Sequence, residues 1–170
     1  MGARGPERTN VVRVLDSLGI AHRVITYEVD EADLSAAAVA GKTLIAPERV
    51  FKTLALRGSG GGVFLCCVPG DSELDLKKAA RAAGEKSASM LPLAELLGAT
   101  GYVRGGCSPI GTKKPYPVYV DESAILRDEI CVSAGARGTQ VALAPGDLLR
   151  ALAGRAAYAD LAAAAAAAAR

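Results

Sequence analysis

From Thr9 the apolar residues Val11, Val12, Leu15 and Leu18 follow the spacing of one helix face. Thr9 is placed to cap that helix and Gly19 to stop it. The period then shortens to two. Ile20, His22, Val24 and Thr26 alternate with Arg23, Ile25 and Tyr27, which predicts a strand over 21–27. Asp33 reads as the cap of a short Ala-rich helix over 34–40, and Pro47 as the first residue of a single helical turn in PERVF. Apolar runs at 52–56 and 63–68 flank Gly58-Ser59-Gly60-Gly61-Gly62 and predict a hairpin. The clearest helix spans 72–83, with Ser72 as its cap, Asp75 close to a capping box and Gly84 as its end. Its apolar side is Leu74, Leu76, Ala79, Ala80 and Ala83, and Lys77, Lys78 and Arg81 make a basic side.

The pattern continues with a strand at 86–90, a helix from Pro92 to 97 and a strand at 118–121. A helical turn follows at 122–127, then a hairpin of 130–134 with 139–143 and a helix from Pro145 to 152. The sum is an α/β (mixed α+β) single domain of about six or seven short, mostly antiparallel strands with four or five helices. The polar start, 1–8, reads as a disordered leader, and 156–170, ending LAAAAAAAAR, as an Ala-rich helix or tail.

Composition narrows the function classes. With 170 residues the chain is long enough for one proper core, which must be aliphatic because there are two Phe and no Trp. A net charge of +2 does not suit a nucleic-acid coat, so any RNA contact rests on local patches such as Lys77, Lys78, Arg81, Lys113 and Lys114, and neither DNA nor a membrane is an expected partner. The four cysteines lack CxxC spacing, which argues against zinc and disulfides and fits a reducing cytoplasm. Neither a cofactor motif nor a metal set is present: there is no strand–GxGxxG–helix unit, no GxxxxGK[ST], and His22 is the only histidine.

The chemistry-bearing stretch is 101–114, GYVRGGCSPIGTKK. Each glycine costs roughly 0.5–1 kcal/mol against Ala in a regular element, so this is a shaped loop. Gly105 and Gly106 allow close backbone approach, Ser108 is held extended before Pro109, and Gly111 turns the chain toward Lys113 and Lys114. Such a loop suits a phosphate or a developing oxyanion, and equally suits a plain connection between strands. Lys52 opens an apolar strand, either snorkelling to its end or held in a pocket. His22 has no Ser or Cys placed beside it, and Cys107 has no visible base, so no protein nucleophile stands out. The site can orient an activated ester whose attacking group comes from elsewhere.

VFKTL, GDSELDLKKAARAAG, TGYVRGGCSPIGTKKPYPVYVD and CVSAGARGTQVALAPGDLL occur in this order. Together, over about 9–152, they resemble the YbaK/ProX family of trans-editing aminoacyl-tRNA deacylases. LDLKKAA and GGCSPIGTKK look most like its YbaK-type Cys-tRNA(Pro) deacylases. The resemblance implies an editing domain over 9–155 with a barrel-like sheet and no cofactor. Its substrate would be cysteine on the tRNA(Pro) acceptor end, with prolyl-tRNA synthetase as a transient partner. It places the functional residues on Lys52, Tyr27, Gly105 and Ser133, with Gly106, Ser108, Pro109, Gly111, Lys113, Lys114 and Gly135 around the substrate. It also implies that the substrate thiol attacks its own ester. An acid that some members carry after the RG pair is Gln140 here, and Cys107 stands where relatives have an aliphatic residue. The alternatives are a deacylase for another small residue, such as Ala-tRNA(Pro), or a non-catalytic module that binds tRNA ends or a synthetase.

Overall fold

The computed structural model describes residues 8–164. Nearly all of the leader expected at 1–8, and the last six residues of the Ala-rich end, lie outside that range. Helix α1 (Asn10–Ser17) is capped as its sequence predicts: Thr9 Oγ1 accepts from the Val12 N–H at 3.3 Å, and Gly19 leaves the helix at φ +66°. Strand β1 (Arg23–Thr26) follows. Helix α2 (Ala36–Thr43) starts later than expected because Ser35, not Asp33, is its cap; Asp33 instead accepts from the Ser35 N–H at 3.1 Å. After a 3-10 turn at Pro47–Arg49, β2 (Phe51–Gly58) and β3 (Val63–Pro69) form the expected antiparallel hairpin, Lys52 opposite Val68. Helix α3 (Leu76–Ala83) is capped by Asp75, which receives the Lys77 and Lys78 N–H groups at 2.9 and 3.1 Å; Ser72 lies a turn too early. Then come β4 (Ala88–Met90), α4 (Leu93–Thr100), β5 (Val118–Asp121), a 3-10 turn at Glu122–Leu126, β6 (Ile130–Ala136), β7 (Thr139–Leu143) and α5 (Pro145–Ala151).

The strands make two sheets rather than one closed barrel. One has the order β1-β7-β6, all antiparallel. The other adds a final strand β8 (Ala156–Ala159) and runs β4-β2-β3-β5-β8, with β3, β5 and β8 mutually parallel. A parallel bridge from Val50 to Cys131 links the two sheets. They share one apolar core, mostly aliphatic: Phe51, Ala55, Leu65 and Val118 from one, Ile130, Val132 and Val141 from the other, sealed by Val11 and Leu15 of α1. Cys66 and Cys67 are fully buried on β3, so both are packing residues.

Strand β8 lies where the composition suggested helix or tail. Local alanine propensity is overridden by two tertiary anchors. Leu161 is fully buried beside Phe64 and Cys66. Asp121, 3% exposed, accepts the Leu161 and Ala162 N–H groups at 3.0 and 2.9 Å and that of Ser123 at 3.1 Å. Burial pushes the Asp121 pKa up, but the hydrogen bonds from Ser123, Ala162 and Leu161 outweigh it and hold the carboxyl below its ordinary value. Among the described residues no helix is long and apolar enough to cross a membrane.

Candidate active site

Strand β4 covers the outer edge of β2 only over Leu56–Gly58, and the Leu91 N–H closes that pairing on Ala55 O at 2.9 Å. Beyond it the edge of β2 from Phe51 to Ala55 faces a cavity of about 440 Å³ instead of a strand. That volume lies within the ~300–1,000 Å³ typical of small-molecule sites. The β6–β7 ladder, the start of α2, the start of α4 and the glycine loop provide its other walls.

Three of the four expected functional residues line this space: Lys52, Gly105 and Ser133. Lys52 is half-buried and forms no ion pair with any described carboxylate. A cation in an apolar wall without a partner is costly unless a ligand supplies the negative charge. Gly105 sits at φ +82°, and a Cβ there would lie 3.2 Å from Leu34 Cδ1. The Gly106 N–H bonds to Val103 O at 3.0 Å, whereas among the described residues the Gly105 N–H makes no such bond. Ser133 pairs with Gln140 across the ladder just before a β-bulge, and its Oγ accepts the Gly135 N–H at 3.1 Å. Bulges re-aim side chains, and here the pair is turned to the cavity.

Gln140 is the residue that the sequence reading passed over as a mere departure. It is 5% exposed, it lines the cavity, and its buried Oε1 has no hydrogen-bond partner. An orphaned buried acceptor costs about 1–3 kcal/mol, which makes this wall residue a candidate partner for a donor on a ligand. Its position becomes legible only once the strand register sets it opposite Ser133. Arg104, at the mouth, was missed as well.

The remaining expected residues lie elsewhere. Tyr27 is in a small recess behind Gly105, shared with Leu34, Val39 and Arg137. Gly106 is a buried joint against the Ala136–Arg137 backbone. Ser108 and Pro109 are buried, and Ser108 Oγ caps the Ile110 N–H at 3.3 Å. Gly111 and Gly135 sit at φ +73° and +91°, where a side chain is strained, and a Cβ would fall 2.7 Å from Asn10 Nδ2 and 2.8 Å from Tyr102 Cε1 respectively. These four residues therefore build the loop and its seat on Tyr102 instead of lining the cavity, as does Gly106. Lys113 and Lys114 are exposed, the former packed over Gly101 beyond the end of α4.

No side chain in the cavity is poised as a nucleophile. Cys107 lines it, but burial pushes its thiol up to about 11, so at neutral pH it is protonated. His22 is outside the cavity: its Nδ1 lies 2.8 Å from Ile20 O and its Nε2 3.7 Å from Asp16 Oδ1. The arrangement can bind an anion, stabilise an oxyanion and accept a donor, and it lacks a group to attack with.

The family described as aminoacyl-tRNA editing domain matches residues 30–151. EbsC of Enterococcus faecalis, named as a candidate Cys-tRNA(Pro)/Cys-tRNA(Cys) deacylase, is 43% identical over 143 residues, 84% of this chain and 87% of that protein. YwhH of Bacillus subtilis, a protein without an assigned role, is 34% identical over 71% of this chain and 78% of its own. A solved structure, titled as that of a candidate trans-editing enzyme for prolyl-tRNA synthetase, superposes with TM-score 0.80 at 28% identity, covering 95% of this chain and all of that one.

Proposed function

The chain belongs to the aminoacyl-tRNA editing domain family, and from that premise we propose that it deacylates cysteine mischarged on proline tRNA, with the substrate's own thiol as nucleophile. The observation that carries this reading is a cavity with a free cation and oxyanion donor but no ionised nucleophile. The name of the Enterococcus relative supports the choice of cysteine.

In this mechanism Lys52 holds the terminal phosphate or ribose of the acceptor end. The Gly105 N–H donates to the ester carbonyl oxygen as it becomes negative. Ser133 orients the aminoacyl group, and Gln140 Oε1 accepts from its α-ammonium. Tyr27, behind Gly105, is a positioning residue. The cysteine sulfur attacks the ester carbon and the C=O electron pair moves to oxygen. Collapse then expels the ribose oxygen, which takes the thiol proton. The product is a four-membered thiolactone that water opens to free cysteine. Holding the thiol against its ester replaces a nucleophile that the protein does not provide. Prolyl-tRNA synthetase, in a transient complex, delivers the substrate.

The test is turnover of Cys-tRNA(Pro), S-methylated Cys-tRNA(Pro) and Ala-tRNA(Pro) side by side. Thiol blocking should slow release by far more than the ~10–200-fold that a methylene-sized misfit costs. Brisk release of the blocked residue would refute the substrate-assisted step and point to a bound water. Faster release of alanine than of cysteine would move the substrate assignment.

A further inference from the structure

A second, open depression of about 510 Å³ lies at the other end of β4 and has no part in the chemistry above. Lys77 and Arg81, one helical turn apart on α3, line it together with Lys86, which follows the helix. All three are exposed, and none forms an ion pair among the described residues. The acid in this groove, Glu85, is turned away from the cations. Its carboxylate accepts from Ser59 Oγ at 3.2 Å and from the Gly60 N–H at 3.0 Å. It lies so close over Gly58 that a Cβ there would meet Glu85 Cδ at 2.5 Å. The β2–β3 turn thus immobilises the one negative group and leaves three cations unneutralised in a concave surface.

Lys78, the remaining cation of that helix, is employed differently. Its Nζ donates to Asp160 Oδ1 at 3.0 Å and to Ala162 O at 2.8 Å, tying down the segment after β8. The basic side read from the sequence therefore divides into one structural lysine and a groove that gains Lys86.

The groove and the cavity are separate depressions at the two ends of one strand. Ala88 lines the first and Met90 the second, and both belong to β4. Strand alternation puts the two on one face, about 6–7 Å apart. Met90 and Leu93 form an exposed apolar lip at the cavity, where an unpaired base can pack. We propose that Lys77, Arg81 and Lys86 hold the phosphate backbone of the RNA strand whose aminoacylated end occupies the cavity. The identity of that RNA as tRNA rests on the deacylase reading. The choice of a polyanion does not: three unpaired cations at one end of β4, whose other end borders the cavity, suit a phosphate backbone that runs along that strand.

The test is binding of uncharged, fluorescently labelled tRNA(Pro) by anisotropy, for the wild type and for Lys77→Glu with Arg81→Glu and Lys86→Glu, across a salt series. The reversal should weaken binding by at least about tenfold at low salt. It should also lower the slope of log K against log salt by about 2–3, for three lost phosphate contacts. The corresponding triple Gln variant should fall between, and equal thermal midpoints exclude unfolding as the cause. Hydrolysis of 3′-cysteinyl adenosine, which carries no phosphate to reach the groove, should be unchanged while KM for the charged tRNA rises. Unchanged affinity and slope would overturn the proposal, as would equal losses on both esters. A loss confined to binding of prolyl-tRNA synthetase would reassign the groove to a protein. Should the wild type leave both esters intact, the deacylase reading fails, and the anisotropy result still decides the groove.

Discussion

Replacing Gly105 by alanine separates the role of its N–H from the demands of its conformation. At φ +82° an added Cβ carries a left-handed penalty of about 1–2 kcal/mol. The new methyl would press on Leu34, 3.2 Å from Cδ1 and 3.3 Å from Cβ, so the loop or the start of α2 must give by a few tenths of an ångström. The stability loss expected from the penalty is a fall in Tm of about 2–8 °C for a chain of this size. The functional effect should be larger. An oxyanion donor must meet its target within hydrogen-bond distance; alanine keeps the N–H but displaces it, and the ceiling on the effect is the loss of about 10²–10³ in kcat that follows removal of one such donor. Gly84→Ala is the control. Gly84 has φ +70° at the end of α3 with nothing within 4 Å of the would-be Cβ, so it suffers the same backbone penalty without touching the cavity. Single-turnover deacylation of Cys-tRNA(Pro), with Tm measured on both variants, gives the comparison. Gly84→Ala should lose stability and keep its rate. If Gly105→Ala is destabilised to the same degree yet turns over within a few-fold of wild type, its N–H is not the oxyanion donor.

Lys52→Ala should leave the fold intact, because no carboxylate is orphaned by it. It should slow deacylation by about 10- to 150-fold, the worth of one hydrogen bond from a charged group; circular dichroism and steady-state kinetics check both halves. Asp121→Asn should cost about 2 kcal/mol by weakening the charge-assisted bonds that hold the Leu161–Ala162 backbone, a fall in Tm of about 4–8 °C. Because the folded pKa of Asp121 is lowered from 3.8, its stabilisation is full above that value and is lost as pH falls through the lowered one. The Tm gap between wild type and variant should therefore be open at neutral pH and close in the acid range below about pH 4. A gap that stays constant down to strongly acid pH would remove the carboxylate charge from the account.

What could be read in the chain, and what could not, follows from how local each cause is. Thr9, Gly84 and the β2–β3 turn act within a few residues of themselves, so the first cap, the end of α3 and the hairpin were legible, whereas the caps of α2 and α3 fell to Ser35 and Asp75 instead of Asp33 and Ser72. Lys52 was legible because a cation inside VFKTL contradicts its own surroundings. Strand β8 was not, since what makes Ala156–Ala159 a strand is Asp121, far back in sequence, receiving the backbone just beyond it. The glycine loop shows the limit most clearly. A glycine is required wherever a Cβ would collide, and the sequence is silent on whether the collision is with a ligand or with the protein. At Gly111 and Gly135 the colliding groups are Asn10 and Tyr102, so those glycines serve the loop's own seat. At Gly105 a positive φ coincides with a place in the cavity wall and with an N–H that makes no backbone hydrogen bond among the described residues. Gln140 is the opposite case. Nothing in its neighbours marks it, because its meaning comes from the strand register that sets it opposite Ser133 and from the Oε1 that the fold leaves without a partner. Both residues border the place where β4 stops covering β2, so the cavity exists because an edge strand is three residues long. A longer β4 would satisfy the edge of β2 and fill the site. The shortness of that strand is therefore what leaves the cavity open beside the junction of the two sheets.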